Sequence, residues 1–155
     1  MECNNIIVSI MINDNHTTCN VEKIIPGKQT EFGSDIIKLK AIINEIEYIS
    51  SQEFDVMEFA IIDFQKVLPK NIKIICCQTC RHGNFCRYGN DENKIFCLID
   101  YSPKDKMDVA EIFSKWVQGK IDLQKNELFH CCEKYQKINN DYYTYNDWNY
   151  FFKEQ

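Results

Sequence analysis

Arginine is scarce in this 155-residue chain, which has only two, Arg81 and Arg87, among its 18 basic residues. Positive charge is also in deficit overall, because 23 Asp and Glu residues outnumber the Lys and Arg residues and give a formal net charge of −5. A protein that coats nucleic acid without sequence preference needs an excess of positive charge. The charge balance therefore argues against this class of protein.

Long apolar runs are missing as well. The run Ile6 to Ile12 is too short to span a bilayer and contains Ser9. No basic segment precedes it and no small-residue cleavage site follows it, so we expect no secretion signal. The sequence thus predicts a cytoplasmic protein without membrane association, in a compartment where thiols stay reduced.

Internal repeats, low-complexity tracts and linkers are absent from the sequence. Its 45% hydrophobic and 26% charged residues are an ordinary globular composition, and the length suits one domain. We expect a single domain over 1–155, with a β-rich part containing one helix at 1–75, a Cys-rich metal-binding part at 76–135 and an aromatic tail at 136–155. The tail is interpreted as a segment that covers the core or, alternatively, as a surface for a partner.

Turn signals and apolar patterns near the N-terminus predict two β-hairpins. Strands at 5–12 and 17–25 flank an Asn-Asp-Asn-His turn. The segment Ile36 to Ile49 fits both helical spacing and strict alternation of apolar and polar residues. We prefer a second hairpin that turns at Asn44-Glu45, because the segment is rich in β-branched residues.

The next segment predicts a long helix. Ser50 followed by Glu53 is a capping-box pattern, and apolar residues then recur at spacings of three and four from Gln52 to Leu68, before Pro69. Further strands are expected at 71–76 and 95–100, and helices at 109–118 and near the C-terminus. The predicted class is α+β: N-terminal β-hairpins and a long helix packed on an antiparallel sheet, a zinc-knuckle-like Cys loop and a small helical C-terminal part.

Cysteine is the residue type present in unusual number, with nine in the chain. In a reducing compartment clustered cysteines indicate a metal site more often than disulfides. Cys77 and Cys80 have the C-x2-C spacing that lets two sulfurs bind one tetrahedral metal ion. They lie where a predicted strand ends and a glycine-containing loop begins, which is typical of a zinc knuckle.

A four-sulfur site needs two more ligands from elsewhere in the chain. Cys97 lies on a following strand, and either Cys131 or Cys132 would complete the site. Neighbouring residues with suitable side chains are reserve ligands: Cys76, Cys86, His82 and His130. Five cations between 66 and 88 would offset the thiolate charge or, alternatively, form a surface that faces phosphate or acidic groups: Lys66, Lys70, Lys73, Arg81 and Arg87.

At these residues the chain resembles a family of uncharacterised bacterial proteins of unknown function. The matching features are a helix ending in Leu-Pro, a strand, and then the residues Cys76-Cys77-x-x-Cys80, Tyr88-Gly89, Phe96-Cys97 and, more weakly, Cys132-Glu133-Lys134-Tyr135. The resemblance implies a metal-stabilised fold and no known reaction. It favours four of the cysteines as the ligands: Cys77, Cys80, Cys97 and Cys132.

The sequence carries no phosphate loop, nucleophile elbow, paired-acid motif or H-E-x-x-H pattern. We therefore expect a non-enzymatic cytosolic protein stabilised by one structural Zn²⁺, which binds another protein as an immunity or accessory protein would. The alternative is a zinc-dependent enzyme or a nucleic-acid-binding zinc module that uses the basic Cys loop. An iron–sulfur cluster, redox thiols and merely buried cysteines are the other interpretations of the quartet.

Overall fold

The computed structural model describes residues 2–88, 93–139 and 143–152. For Glu2 and Cys3 it describes the backbone alone. The chain divides into two compact units, Met1–Ile74 and Ile75–Gln155. This division falls one residue from the boundary that the sequence predicts between its β-rich part, 1–75, and its Cys-rich part, 76–135. The organisation of 1–155 as a single domain stays a prediction.

The first unit is built on a five-stranded antiparallel sheet with the strand order β4-β3-β2-β1-β5. Its strands are β1 Glu2–Ile12, β2 Asn15–Ile25, β3 Lys38–Ile43, β4 Ile46–Ile49 and β5 Ile72–Ile75.

Both predicted hairpins are confirmed. The β1–β2 turn places Asn13 and Asp14 at φ angles of 49° and 67°, and the β3–β4 turn places Asn44 and Glu45 at 51° and 68°. Two-residue turns with positive φ at both positions match the right-handed twist of the strands they join, and asparagine tolerates this conformation well. The turn residues therefore set the register of both hairpins.

The helix of the first unit, α1, spans Met57–Val67 and is shorter than predicted. The expected start near Gln52 is wrong, and so is the capping box of Ser50 and Glu53. The residue that precedes the helix is Val56, which provides no side-chain cap.

The late start of α1 has a physical cause in the sheet. The Oγ of Ser50 accepts a hydrogen bond from the backbone N–H of Leu39 on β3 at 2.8 Å. This hydroxyl therefore binds the sheet and does not cap the helix. Phe54 pairs with Ile37 through two backbone hydrogen bonds of 2.6 and 3.1 Å. Because these contacts hold the segment in an extended conformation, the helix forms only after it.

The core of the first unit lies between the sheet and α1, which packs on β3 and β4. Inward-facing residues alternate along the strands, as a half-buried sheet requires. The buried apolar side chains include Val8, Ile10, Val21, Leu39, Ala41, Ile61 and Phe64.

The second unit contains a three-stranded antiparallel sheet of order β6-β7-β8 and two helices. The elements are β6 Gly83–Asn84, β7 Lys94–Cys97, α2 Lys106–Val117, β8 Gln124–Glu127 and α3 Trp148–Phe151. The predicted α+β class is confirmed.

An aromatic cluster forms the core of the second unit. The ring of Phe96 on β7 makes edge-to-face contacts with Phe113 and Trp116 on α2, at centroid distances of 5.2 and 4.9 Å. The helix is capped at its start by the carboxylate of Asp105 and is followed by Gly119 at a φ angle of 74°, as expected for a C-terminal glycine. In the described part of the chain, no helix combines the length and the apolarity that crossing a membrane demands.

Candidate metal centre

The sequence between β5 and β6 forms a tight turn around the C-x2-C pair. Cys76 is extended, and Cys77–Thr79 then form one turn of 3₁₀ helix. The N–H of Cys80 donates to the carbonyl of Cys77 at 3.2 Å, so the two cysteines of the pair lie at the two ends of this turn. This local geometry agrees with the spacing argument for a knuckle.

Gly83 brings a second strand against the turn. Its N–H donates to the carbonyl of Cys80 at 2.9 Å, and it begins β6. A Cβ atom at this position would lie 1.9 Å from the carbonyl oxygen of Cys77, so only glycine permits this approach. Because Gly83 faces Cys97 in the β6–β7 register, the close approach places Cys97 beside the turn.

The pKa of the Cys77 thiol is affected by the charges of other cysteines. Burial, together with negative charge on Cys76, Cys80 and Cys97, raises the pKa of Cys77 to about 12. Charges of like sign disfavour the ionised form of a thiol. The groups that act on the pKa of Cys77 therefore include both other predicted ligands on its side of the loop.

The pKa of Cys97 is affected by the charge of the remaining predicted ligand, Cys132. Burial raises the pKa of Cys97, and charge on Cys80 and on Cys132 acts in the same direction. Cys131 differs, because its charge acts on the pKa of Cys76. The charge of Cys132 thus acts on Cys97 and the charge of Cys131 on Cys76, and the choice of Cys132 as a ligand stays a prediction.

Two polar groups donate hydrogen bonds to the sulfurs of the knuckle. The backbone N–H of His82 lies 3.5 Å from the Sγ of Cys80, and the Nδ2 of Asn126 on β8 lies 3.6 Å from the Sγ of Cys77. Donors of this kind favour the charged form of a sulfur ligand.

The described side chains do not enclose a metal-binding centre. Over 2–88, 93–139 and 143–152, no group of three or more His, Cys, Asp or Glu side chains stands in an arrangement that holds a metal ion. No disulfide joins the eight cysteines whose side chains are described. The metal centre at Cys77, Cys80, Cys97 and Cys132 consequently stays a prediction.

The reserve ligands have other surroundings. Cys86 packs against the aromatic cluster around Phe96. Burial and the neighbouring charge of Arg81 lower the pKa of His82. The carbonyl of His130 accepts a hydrogen bond from the N–H of Cys77. In the Tyr-Gly motif, Gly89 lies outside the described residues.

The aromatic tail docks on the Cys loop. The N–H of Phe85 donates to the carbonyl of Tyr145, and the N–H of Tyr145 donates to the side chain of Asn84, which is 1% exposed. The Nδ2 of Asn146 donates to the carbonyl of Gln78 at 2.7 Å. The described part of the tail therefore stabilises the loop that carries the cysteine pair.

Sequence reasoning missed the contributions of Asn84 and Asn146 to this loop. The Oδ1 of Asn146 also accepts a local hydrogen bond from the N–H of Trp148 at 2.9 Å. The contacts of the same side chain with the loop join residues that are far apart in the sequence, so no local pattern signals them.

Comparison with models of known protein families and with curated proteins finds no match. The resemblance of the cysteine pattern to the uncharacterised bacterial family stays a prediction.

Proposed function

We propose that the protein is a non-enzymatic interaction protein whose second unit is stabilised by one structural Zn²⁺ bound to Cys77, Cys80, Cys97 and Cys132. The observation that carries the proposal is the turn that holds Cys77 and Cys80 at its two ends, with Cys97 brought beside it by the pairing of Gly83 with Cys97. The choice of Cys132 as the fourth ligand follows the family resemblance.

The chemistry of the four side chains suits zinc. Zn²⁺ prefers tetrahedral sulfur and nitrogen ligands, and a site with four protein ligands is closed and structural. Cysteine has a single torsion before its sulfur, so the four thiols would turn toward an ion by rotation about that bond. The ion's charge would replace the mutual repulsion of the thiolates by attraction and would deprotonate the thiols.

The consequence of such a site is stability of the second unit. The ion would join the turn at Cys77–Thr79, the end of β7 and the segment containing Cys132. A structural zinc site contributes about 10 kcal/mol of binding free energy at neutral pH. The small aromatic cluster around Phe96 is then supplemented by metal coordination.

Serine variants test the assignment of ligands. Cys77→Ser and Cys97→Ser should each release the metal and unfold the second unit at a much lower temperature than the parent. Cys86→Ser is the matched control, because its thiol packs against the aromatic cluster instead of joining the quartet. Metal analysis and thermal melting of the full chain provide the readout. Retention of metal and a normal melt in both variants would contradict the assignment.

The proposal that this protein binds another protein rests on the net charge of the chain. A net charge of −5 favours a basic partner through long-range attraction, which salt weakens. The proposed partner is a basic protein, as for an immunity or accessory protein. Affinity capture from the source cells should recover such a protein at low salt and lose it at high salt. Recovery of nucleic acid instead would favour the zinc module that binds nucleic acid.

A further inference from the structure

The β3–β4 hairpin forms one edge of the sheet in the first unit. In the described part of the chain, β4 is the outermost strand and pairs with β3. The N–H of Ser50 donates to the carbonyl of Leu39 on β3 at 2.8 Å. Because backbone groups alternate in direction along an antiparallel strand, the N–H and C=O groups of Tyr48 also point to β3. Those of Glu47 and Ile49 therefore point away from β3, towards the edge of the sheet.

Apolar side chains are exposed on the outer face of this hairpin. Ala41 and Ile43 point to the core, so Ile42 between them lies on the outer face of the sheet, where it is 63% exposed. Ile49 faces Lys40 in the β3–β4 register and shares this outer face, with 41% exposure. A strand edge flanked by exposed apolar side chains is a template for pairing with another chain.

The charge along this edge is negative. Glu45 in the turn and Glu47 on β4 are both exposed, and neither makes an ion pair with the described part of the chain. Lys40, which faces Ile49, is already ion-paired with Glu22 at 3.3 Å. The edge therefore favours a basic occupant over a second copy of this acidic chain, whose own edge carries the same charges.

We propose that β4 binds an extended segment of a basic partner protein, in which basic residues alternate with β-branched apolar residues, as an additional strand of the sheet. The backbone of this segment bonds to the N–H and C=O groups of Glu47 and Ile49. Its basic side chains lie on the outer face, where their aliphatic stems cover Ile42 and Ile49 and their charged ends reach Glu47. Its apolar side chains lie on the inner face, beside Ile46 and Tyr48.

This inference rests on the proposed function, because it names the surface that meets the proposed basic partner. It is independent of the zinc site, since β4 belongs to the first unit and the cysteine quartet to the second. Strand addition also supplies what net charge alone does not. Backbone hydrogen bonds give affinity, and the alternating side chains give specificity for one pattern of sequence.

Titration of the full chain with a short blocked peptide of alternating lysine and valine residues tests this surface. The amides of Glu47 and Ile49 should exchange with solvent more slowly when the peptide is present, because both gain acceptors. High salt should weaken the binding. A peptide with glutamate in place of every lysine is the matched control and should not bind. Unchanged exchange of both amides in a large excess of the lysine peptide would overturn the proposal.

Two variants separate strand pairing from general attraction between charges. Ile49→Pro removes a donor that the β3–β4 ladder does not use, so the chain should melt as a folded protein and bind the lysine peptide about tenfold more weakly. Glu47→Lys, which leaves the backbone unchanged, should bind the glutamate peptide instead. Glu31→Lys makes the same change of charge at another exposed position of the first unit and should bind as the parent does. Equal effects of the two lysine variants would overturn pairing at β4.

The identity of the occupant is tested with the parent chain. Native mass spectrometry should show a monomer, and a dimer that Ile49→Pro dissociates would overturn the proposal in favour of a second copy. In affinity capture from the source cells, Ile49→Pro should lose the basic protein. Its retention would overturn this surface and leave the proposed function standing. A parent that binds the lysine peptide at β4 but captures no basic protein would contradict the proposed function and leave the edge as a site for basic strands.

Discussion

The backbone of Gly83 occupies the space directly beside the carbonyl of Cys77, at a position where a Cβ atom would overlap that oxygen. This approach joins the cysteine turn to β6 and, through the Gly83–Cys97 pairing, to β7. One glycine thus controls the distance between two predicted ligands that lie 20 residues apart.

Replacing Gly83 by alanine should separate the turn from the strand. We expect a loss of about 2 kcal/mol or more in the free energy of unfolding, because the clash involves backbone atoms that cannot rotate away. Urea denaturation of the full chain measures this loss. Gly119→Ala is the control, since its Cβ would meet no atom within 4 Å and only its φ of 74° carries a cost of about 1 kcal/mol. Equal losses in the two variants would contradict the argument.

Asn146 should be a main attachment of the tail to the Cys loop. Asn146→Ala removes the hydrogen bonds to the carbonyls of Gln78 and Gly83, and we expect a loss of about 1–3 kcal/mol in stability. Hydrogen exchange at the Tyr145 amide should become faster, since that amide bonds to Asn84 in the same contact. Lys120→Ala, at an exposed position of the second unit, should leave both quantities almost unchanged.

Gln65 should stabilise the first unit from within its core. Its side chain is 4% exposed, donates to the carbonyl of Ile72 at 2.9 Å and accepts from the N–H of Ile74 at 2.8 Å. Gln65→Ala leaves both backbone groups of β5 without this side chain, so we expect a loss of about 2–4 kcal/mol in the free energy of unfolding, from two buried hydrogen bonds. Gln52→Ala, at an exposed position, should change it by less than about 0.5 kcal/mol. A loss confined to the control variant would be inconsistent with this role.

Tyr135 should make the protein sensitive to alkaline pH. Burial raises the pKa of this phenol above its ordinary value of 10.0, and the hydroxyl donates to the carbonyl of Thr79 at 3.2 Å. As pH rises above 10, the unfolded chain loses the proton before the folded chain does, so stability falls by about 1.4 kcal/mol per pH unit from this group.

The variant Tyr135→Phe tests this pH dependence. It should be less stable at pH 8, because the hydrogen bonds to Thr79 are lost, and its stability should fall less steeply than that of the parent above pH 10. Urea denaturation at a series of pH values measures both effects. Parallel pH profiles for the parent and the variant would show that the phenol is not responsible.

The hairpins were predictable from sequence because their signals are local. Asn13-Asp14 and Asn44-Glu45 tolerate the positive φ angles of their turns, and apolar residues alternate in the strands beside them. The start of α1 was not predictable in this way. Ser50 shows a capping pattern, but its hydroxyl binds Leu39 on β3, and that contact depends on the folded sheet.

The candidate site, like the fold, was predictable only where its sequence signal is local. The spacing of Cys77 and Cys80 indicates a tight turn, and this turn is present. Spacing alone could not separate Cys131 from Cys132, because adjacent residues differ only in the side of the backbone that they face. The choice of Cys132 follows the family resemblance and stays a prediction.

Zinc-edge X-ray absorption, combined with native mass spectrometry of the full chain, tests the central claim most directly. We expect one zinc ion per chain with four sulfur ligands at about 2.3 Å, lost on chelation together with the fold of the second unit. A chain that binds no metal, an iron–sulfur cluster, or a zinc ion with three protein ligands and a bound water would contradict it.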